Sequence, residues 1–171
     1  MKLSPRYKMP FKRTRLGKTD YQRRLKLLKS RKPRLVVRRS LNYITAQIVG
    51  FDMKGDKAII SAYSRQLKKL GWKFACDNIP ASYLTGLAIG KEAVKNNIKE
   101  VVLDSGLYAS TKGNRIYAVA KGALDAGLNV HISQEILPSD ERISGKHIAV
   151  NEKFKELPEN FEKIKQMIKS G

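Results

Sequence analysis

The chain has 171 residues, 42% of them hydrophobic, enough to bury the core of one domain, and its 35 Lys plus Arg against 15 Asp plus Glu leave a formal charge of +20. Such a charge repels itself in a compact body unless a polyanion screens it, which implies a nucleic-acid partner. A single cysteine, Cys76, excludes an intrachain disulfide framework and a four-cysteine zinc site, no run of 18 apolar residues offers a membrane span, and the start, Met1-Lys2-Leu3-Ser4-Pro5-Arg6, lacks a secretory core; the expectation is a soluble intracellular protein with no cofactor.

Charge is concentrated at the amino end, where residues 1–39 hold sixteen Lys plus Arg against Asp20 alone, a net of +15. Residues 1–18, broken by Pro5, Pro10 and Gly17, read as an extended arm that orders on a partner. Thr19-Asp20-Tyr21-Gln22 reads as a capping box opening a helix to about Arg31, with Tyr21, Leu25 and Leu28 as its docking stripe and Arg23, Arg24, Lys26, Lys29 and Arg31 around the rest. After Pro33 three strands are expected at 34–40, 43–51 and 57–63, an antiparallel meander. In the second, Asn42, Ile44, Ala46 and Ile48 alternate with Tyr43, Thr45, Gln47 and Val49, so one face is apolar and the other suits RNA.

A short helix from Ser64 to the stop at Gly71 follows, then a longer one from Pro80 to Asn97. The run Val101-Val102-Leu103 reads as a strand covered on both faces, and 114–127 then 128–133 repeat helix and strand. The fold class is therefore α/β, a mixed sheet with an antiparallel meander followed by helix-strand-helix-strand. Residues 138–145 read as a loop with one helical turn, and Phe161, Ile164 and Ile168 as the stripe of a terminal helix. The expected division is 1–32 as basic arm and helix, 33–150 as the α/β domain and 151–171 as a helical tail.

Arg6, Lys8, Lys12, Arg13, Arg15 and Lys18, interleaved with Tyr7 and Phe11, form a cationic string with stacking rings, the pattern of an arm that folds on RNA. Roughly six to ten phosphate contacts would lose about a thousand-fold to a hundred-thousand-fold in affinity between about 50 and 200 mM salt. Arg38 and Arg39 are strand neighbours and point to opposite faces, so one of them is expected to meet RNA. Gly86 and Gly90, one turn apart, read as close helix packing; with Lys91, Glu92 and Lys95 beside them they do not read as a membrane dimer motif. Asp104-Ser105-Gly106 ends a buried strand where α/β proteins place ligands, but Thr111-Lys112-Gly113 is not a phosphate loop; Lys112 and Arg115 are instead candidate phosphate contacts. His131 and His147 lack partners at zinc-ligand spacing, and His131 reads as a buried strand residue.

Gly17-Lys18-Thr19-Asp20-Tyr21, Arg24-Leu25, Leu27-Leu28-Lys29-Ser30, Lys32-Pro33-Arg34-Leu35-Val36-Val37-Arg38 and Ala46-Gln47 stand in order, followed by Trp72, Pro80-Ala81-Ser82-Tyr83-Leu84-Thr85-Gly86, Val102-Leu103-Asp104, Gly122-Ala123-Leu124-Asp125-Ala126-Gly127-Leu128, Leu137-Pro138, Arg142, Gly145 and His147-Ile148. Over about residues 7 to 150 this series resembles the archaeal branch of the 5S-rRNA-binding large-subunit ribosomal proteins, number eighteen in the bacterial count, homologous to the eukaryotic 5S-binding protein. The resemblance implies a ribonuclease-H-like layout and a structural, non-enzymatic role in the cytoplasmic ribosome. It implies as partners 5S rRNA, large-subunit rRNA and neighbouring ribosomal proteins, including the other 5S-binding protein, with no membrane and no small-molecule substrate. It points to Arg13, Arg15, Lys18, Tyr21, Arg24, Arg34, Arg38, Arg39 and Gln47, with Asn42 and Tyr43 by location; Arg6, Lys8, Lys12, Arg23, Lys112 and Arg115 join them on charge. Many relatives carry a basic residue and a histidine at the places of Asn42 and Tyr43, where a phosphate contact has either become base stacking or been lost. A chain ending at Gly171 lacks the long eukaryotic extension, which favours the archaeal form. Two other readings compete: a nonspecific RNA chaperone acting through the arm, and a ribonuclease-H-like nuclease using Asp52 and Asp104, which the absence of a carboxylate at 34–40 opposes.

Overall fold

The computed structural model describes residues 6–170; the first five residues of the expected arm, Pro5 among them, and Gly171 lie outside the described residues. In the arm only one turn is helical, α1 (Lys12–Arg15), followed by α2 (Tyr21–Leu28). The cap of α2 is Asp20 rather than Thr19: its carboxylate accepts hydrogen bonds from the backbone N–H groups of Gln22 at 2.9 Å and Arg23 at 3.0 Å. A carboxylate also suits the positive end of the helix, and it frees Thr19 to accept a bond from Arg13 Nε at 3.0 Å. The helix stops at Leu28, short of Arg31, which turns left-handed at φ 55°.

The meander follows as β1 (Arg34–Arg39), β2 (Ile44–Gly50) and β3 (Lys57–Tyr63), with a 3-10 turn over Ser64–Leu70 closed by left-handed Gly71. Then come α3 (Ile79–Lys95), β4 (Glu100–Asp104), α4 (Arg115–Asp125), β5 (Asn129–Val130), α5 (Asp140–Ser144), α6 (Lys146–Ala149) and α7 (Leu157–Ser170). The last strand is two residues long instead of the expected six. The sheet runs β3-β2-β1-β4-β5, with β1 antiparallel to β2 and parallel to β4.

Alternation along β1 and β2 sends Leu35, Val37, Ile44, Ala46 and Ile48 to one face, where they are fully buried with Ile89, Val119, Ala120 and Ala123 of α3 and α4. The two helices touch backbone to backbone. A Cβ on Gly86 would stand 2.0 Å from the Val119 carbonyl oxygen, and one on Gly122 2.2 Å from that of Tyr83, so only glycine permits this approach. Gly86 and Gly90 are thus packing residues, as their spacing predicts, and no helix among the described residues is long and apolar enough to cross a membrane. A second cluster joins Leu67, Trp72, Cys76, Tyr83 and Leu84 to Phe161, Ile164 and Ile168 of α7.

Two further expectations fail. The helices cover only one face of β4, so Val101 is buried while Val102 on the other face is half-exposed. His131 is exposed, because β5 ends before it, and its Nε2 lies 3.3 Å from Lys32 Nζ.

Candidate nucleic-acid interface

The face of the sheet away from α3 and α4 mixes valines with charged and polar side chains. Arg34, Val36 and Arg38 of β1 stand opposite Val49, Gln47 and Thr45 of β2, and Val102 and Asp104 of β4 continue the row. Arg34 and Arg38, four residues apart in a strand, share this side and need a counter-charge. Asp104 supplies it: Arg34 Nη1 donates to its Oδ2 at 2.9 Å, while Arg38 Nη2 at 3.2 Å and the Gly106 N–H at 2.8 Å donate to Oδ1. Burial alone would raise the Asp104 carboxyl, but the Arg38 charge, the Gly106 amide and the Arg34 charge outweigh it and hold the group below the usual aspartate range. Asp56, in the turn before β3, accepts from Arg34 Nη2 at 2.7 Å and from Arg24 Nη2 at 2.9 Å. Arg34 is 4% exposed. Gly106, left-handed at φ 61°, lies under the Arg38 guanidinium, whose Cζ would be 3.0 Å from a Cβ there.

These carboxylates and carbonyls also dock α2. Arg23 donates through Nη1 to the Gly106 carbonyl at 2.8 Å and through Nη2 to Ser105 Oγ at 3.0 Å, and Arg24 pairs with Asp56. The expected docking stripe does not dock: α2 has no buried residue, Leu25 is 58% exposed, and Tyr21 faces outward against Phe11, ring centroids 5.2 Å apart. Helix and sheet enclose a cavity of about 350 Å³ lined by Arg13, Lys18, Arg23, Arg24, Arg34, Arg38 and Gln47, with Asp20, Asp56 and Asp104 on the same walls. Gln47 enters from β2, donating to Ser61 Oγ at 3.0 Å.

The remaining candidates are spread more widely. Arg6, Lys8, Lys12 and Arg15 are exposed along the arm outside the cavity. Asn42 is exposed in the turn between β1 and β2, while the Tyr43 ring is half-buried against the second cluster, with the Arg65 guanidinium 5.9 Å from its centroid. Arg39 points away from the cavity and lies over the Tyr108 ring at 4.9 Å. Lys112 and Arg115 line a different cleft, where Arg115 Nη1 donates to the Asp77 carbonyl at 2.8 Å and its carboxylate at 3.0 Å. Sequence reasoning missed the roles of Asp56 and Asp104, although two arginines on one side of an interior strand are a signal that a facing carboxylate must exist. Among the described residues no group of three or more His, Cys, Asp or Glu is placed to hold a metal ion.

The chain matches the family model described as ribosomal large subunit proteins 60S L5 and 50S L18 over residues 5–100 and 92–133. It is similar to the large ribosomal subunit protein uL18 of Methanococcus maripaludis, with 51% identity over 148 residues that cover 86% of this chain and 77% of that one. Both agree with the ordered motifs between residues 7 and 150. The chain therefore belongs to the family of large-subunit ribosomal proteins that includes 60S L5 and 50S L18.

Proposed function

We propose that this protein is a structural constituent of the cytoplasmic large ribosomal subunit that binds 5S rRNA through its basic arm and the polar face of its sheet, and helps attach it to large-subunit rRNA in the central protuberance. The observation that carries the reading is the convergence of Arg13, Lys18, Arg23, Arg24 and Arg38 on one cavity between arm and sheet. Arginine forks match phosphate oxygens, and the partly exposed Arg24–Asp56 pair can exchange its carboxylate for an RNA phosphate at little cost. Arg34, closed in by Asp56 and Asp104, supports the face rather than touching RNA. Tyr21 and Phe11 on the outer side offer rings on which a splayed base stacks, and Arg6, Lys8, Lys12 and Arg15 extend the phosphate track. Flanking ribosomal proteins, including the other 5S-binding one, complete the environment.

The strand order and the switch from antiparallel β1–β3 to parallel β4 and β5 support a ribonuclease-H-like layout. The nuclease chemistry does not follow. Both Asp104 oxygens are taken by guanidinium groups, and no second carboxylate joins it on β1 to hold a metal pair. A family of structural ribosomal proteins is likewise not enzymatic.

The test is an equilibrium titration of the purified protein with labelled 5S rRNA in the presence of excess transfer RNA. Binding that survives the competitor is expected. Equal displacement by any RNA would leave a nonspecific, chaperone-like binder instead.

A further inference from the structure

The sheet edge at β5 borders a stretch whose charge departs from the rest of the chain. Residues 122–141 hold four Asp plus Glu and no Lys or Arg, although the whole chain has 35 Lys plus Arg. The end of α4, β5 and the turn leading to α5 enclose a cleft there of about 570 Å³. Leu124, Ile132 and Leu137 line it half-exposed, beside buried Val130 and Pro138. His131 points the other way, toward Lys32. Lys121 is the one cation among the lining residues, and its ammonium lies 3.6 Å from the Asp125 carboxylate. Asp140 also lines the cleft; exposed Glu141 follows it in the chain, and exposed Glu135 follows the lining Gln134. None of these three carboxylates has an ion-pair partner among the described residues. Carboxylates at the start of α5 favour that turn electrostatically, but this accounts neither for Glu135 nor for the absence of every lysine and arginine from the stretch.

We propose that this cleft docks a basic, extended segment of another protein of the large subunit, one in which lysine or arginine alternates with apolar residues. The proposal rests on the reading that the chain is a ribosomal constituent. Unpaired carboxylates repel a phosphate backbone, so the cleft is unsuited to RNA, and in a chain of charge +20 it is a place where a basic partner is drawn in rather than pushed away. An extended segment sends successive side chains to opposite sides. Its apolar set covers Leu124, Ile132 and Leu137, while its cationic set reaches Asp140, Glu135 and Glu141 at the rim. The volume lies within the roughly 300 to 1,000 Å³ of ordinary binding clefts, room for a few residues. Charge thus sorts the partners of one domain, polyanion to the arm and polycation to the β5 edge.

The probe is a short labelled peptide of alternating lysine and valine, titrated by fluorescence anisotropy into the full chain and into its Glu135→Gln/Asp140→Asn/Glu141→Gln variant. Binding to the wild-type chain is expected, and the variant should bind roughly ten-fold more weakly, about what three exposed charge pairs contribute. Replacing the peptide's valines by serine should weaken it as well, and replacing its lysines by glutamate should abolish binding. No binding of the lysine-valine peptide, or equal binding to both chains, overturns the proposal, as does tighter binding of the glutamate peptide. The variant's affinity for 5S rRNA should be unchanged; a loss there would mark the cleft as part of the RNA surface and also overturn it. In large subunits that carry the chain with a photo-crosslinking residue at Ser139, the adduct should map to a segment rich in lysine and arginine of another protein, and an adduct to rRNA alone would contradict the proposal. Failure of the chain to enter large subunits removes the ribosomal reading, whereas the peptide titration reads the chemistry of the cleft independently.

Discussion

The two faces of the sheet are held by opposite physics. On the helical face Leu35, Val37, Ala46 and Ile48 vanish from solvent beneath α3 and α4, and the glycines let two backbones meet. On the arm face no residue of α2 is fully buried, and the helix is held by Arg23 and Arg24 on carbonyl, hydroxyl and carboxylate oxygens. Apolar burial is not screened by salt, whereas exposed ion pairs are screened and can be replaced. The helical face therefore makes the domain, and the arm face, held by replaceable polar contacts, is the one proposed to take RNA.

The largest test of this division is Asp104→Ala. It leaves Arg34 with Asp56 alone in a buried site, and breaking a buried pair on one side costs about 3 kcal/mol, to be read by urea denaturation. The pH dependence has a definite sign. The folded Asp104 carboxyl titrates below its unfolded value of about 3.9, so its contribution is present above that pH and is lost as pH falls through the folded value. The acid limb of wild-type stability should accordingly be steeper than that of Asp104→Ala. Equal limbs would mean the carboxylate does not hold the face.

Gly122→Ala probes the other side. Its Cβ would meet the Tyr83 carbonyl, and such overpacking costs about 2 kcal/mol, equally at low and high salt, with RNA affinity of the folded fraction unchanged. A salt-dependent loss would blur the distinction between the faces. Smallest is Arg24→Ala. Its pair with Asp56 is about a third exposed, so global stability should change by less than about 1 kcal/mol, yet amide exchange in α2 should quicken because one of its few anchors is gone.

The same contrast explains what could be read from sequence. Burial leaves a period, so Ile44, Ala46 and Ile48, the Gly86–Gly90 spacing and the Phe161, Ile164, Ile168 stripe each announced where they pack. The arm face leaves no period. Arg34 and Asp104 are 70 residues apart and meet only once β1 and β4 pair, so the stripe Tyr21, Leu25, Leu28 looked like the docking side although the arginines dock. Local competition also decided small matters: Asp20 outbid Thr19 as the cap because a carboxylate satisfies two backbone donors at the positive end of α2. Of the candidate RNA residues, the basic arm was legible from charge, while the placing of Arg38 rather than Arg39 on the arm cavity, and of Arg39, Lys112 and Arg115 on a separate cleft, required the pairing of the strands and the crossover that brings the starts of α3 and α4 together.

The most direct measurement of the central claim is the salt dependence of 5S rRNA binding by the wild-type chain and by Arg13→Ala/Arg15→Ala/Lys18→Ala. If the arm carries phosphate contacts, affinity falls and the logarithmic slope drops by about 2 to 3, one increment for each lost cation. A triple variant that binds 5S rRNA with an unchanged slope would contradict the assignment of the arm to RNA.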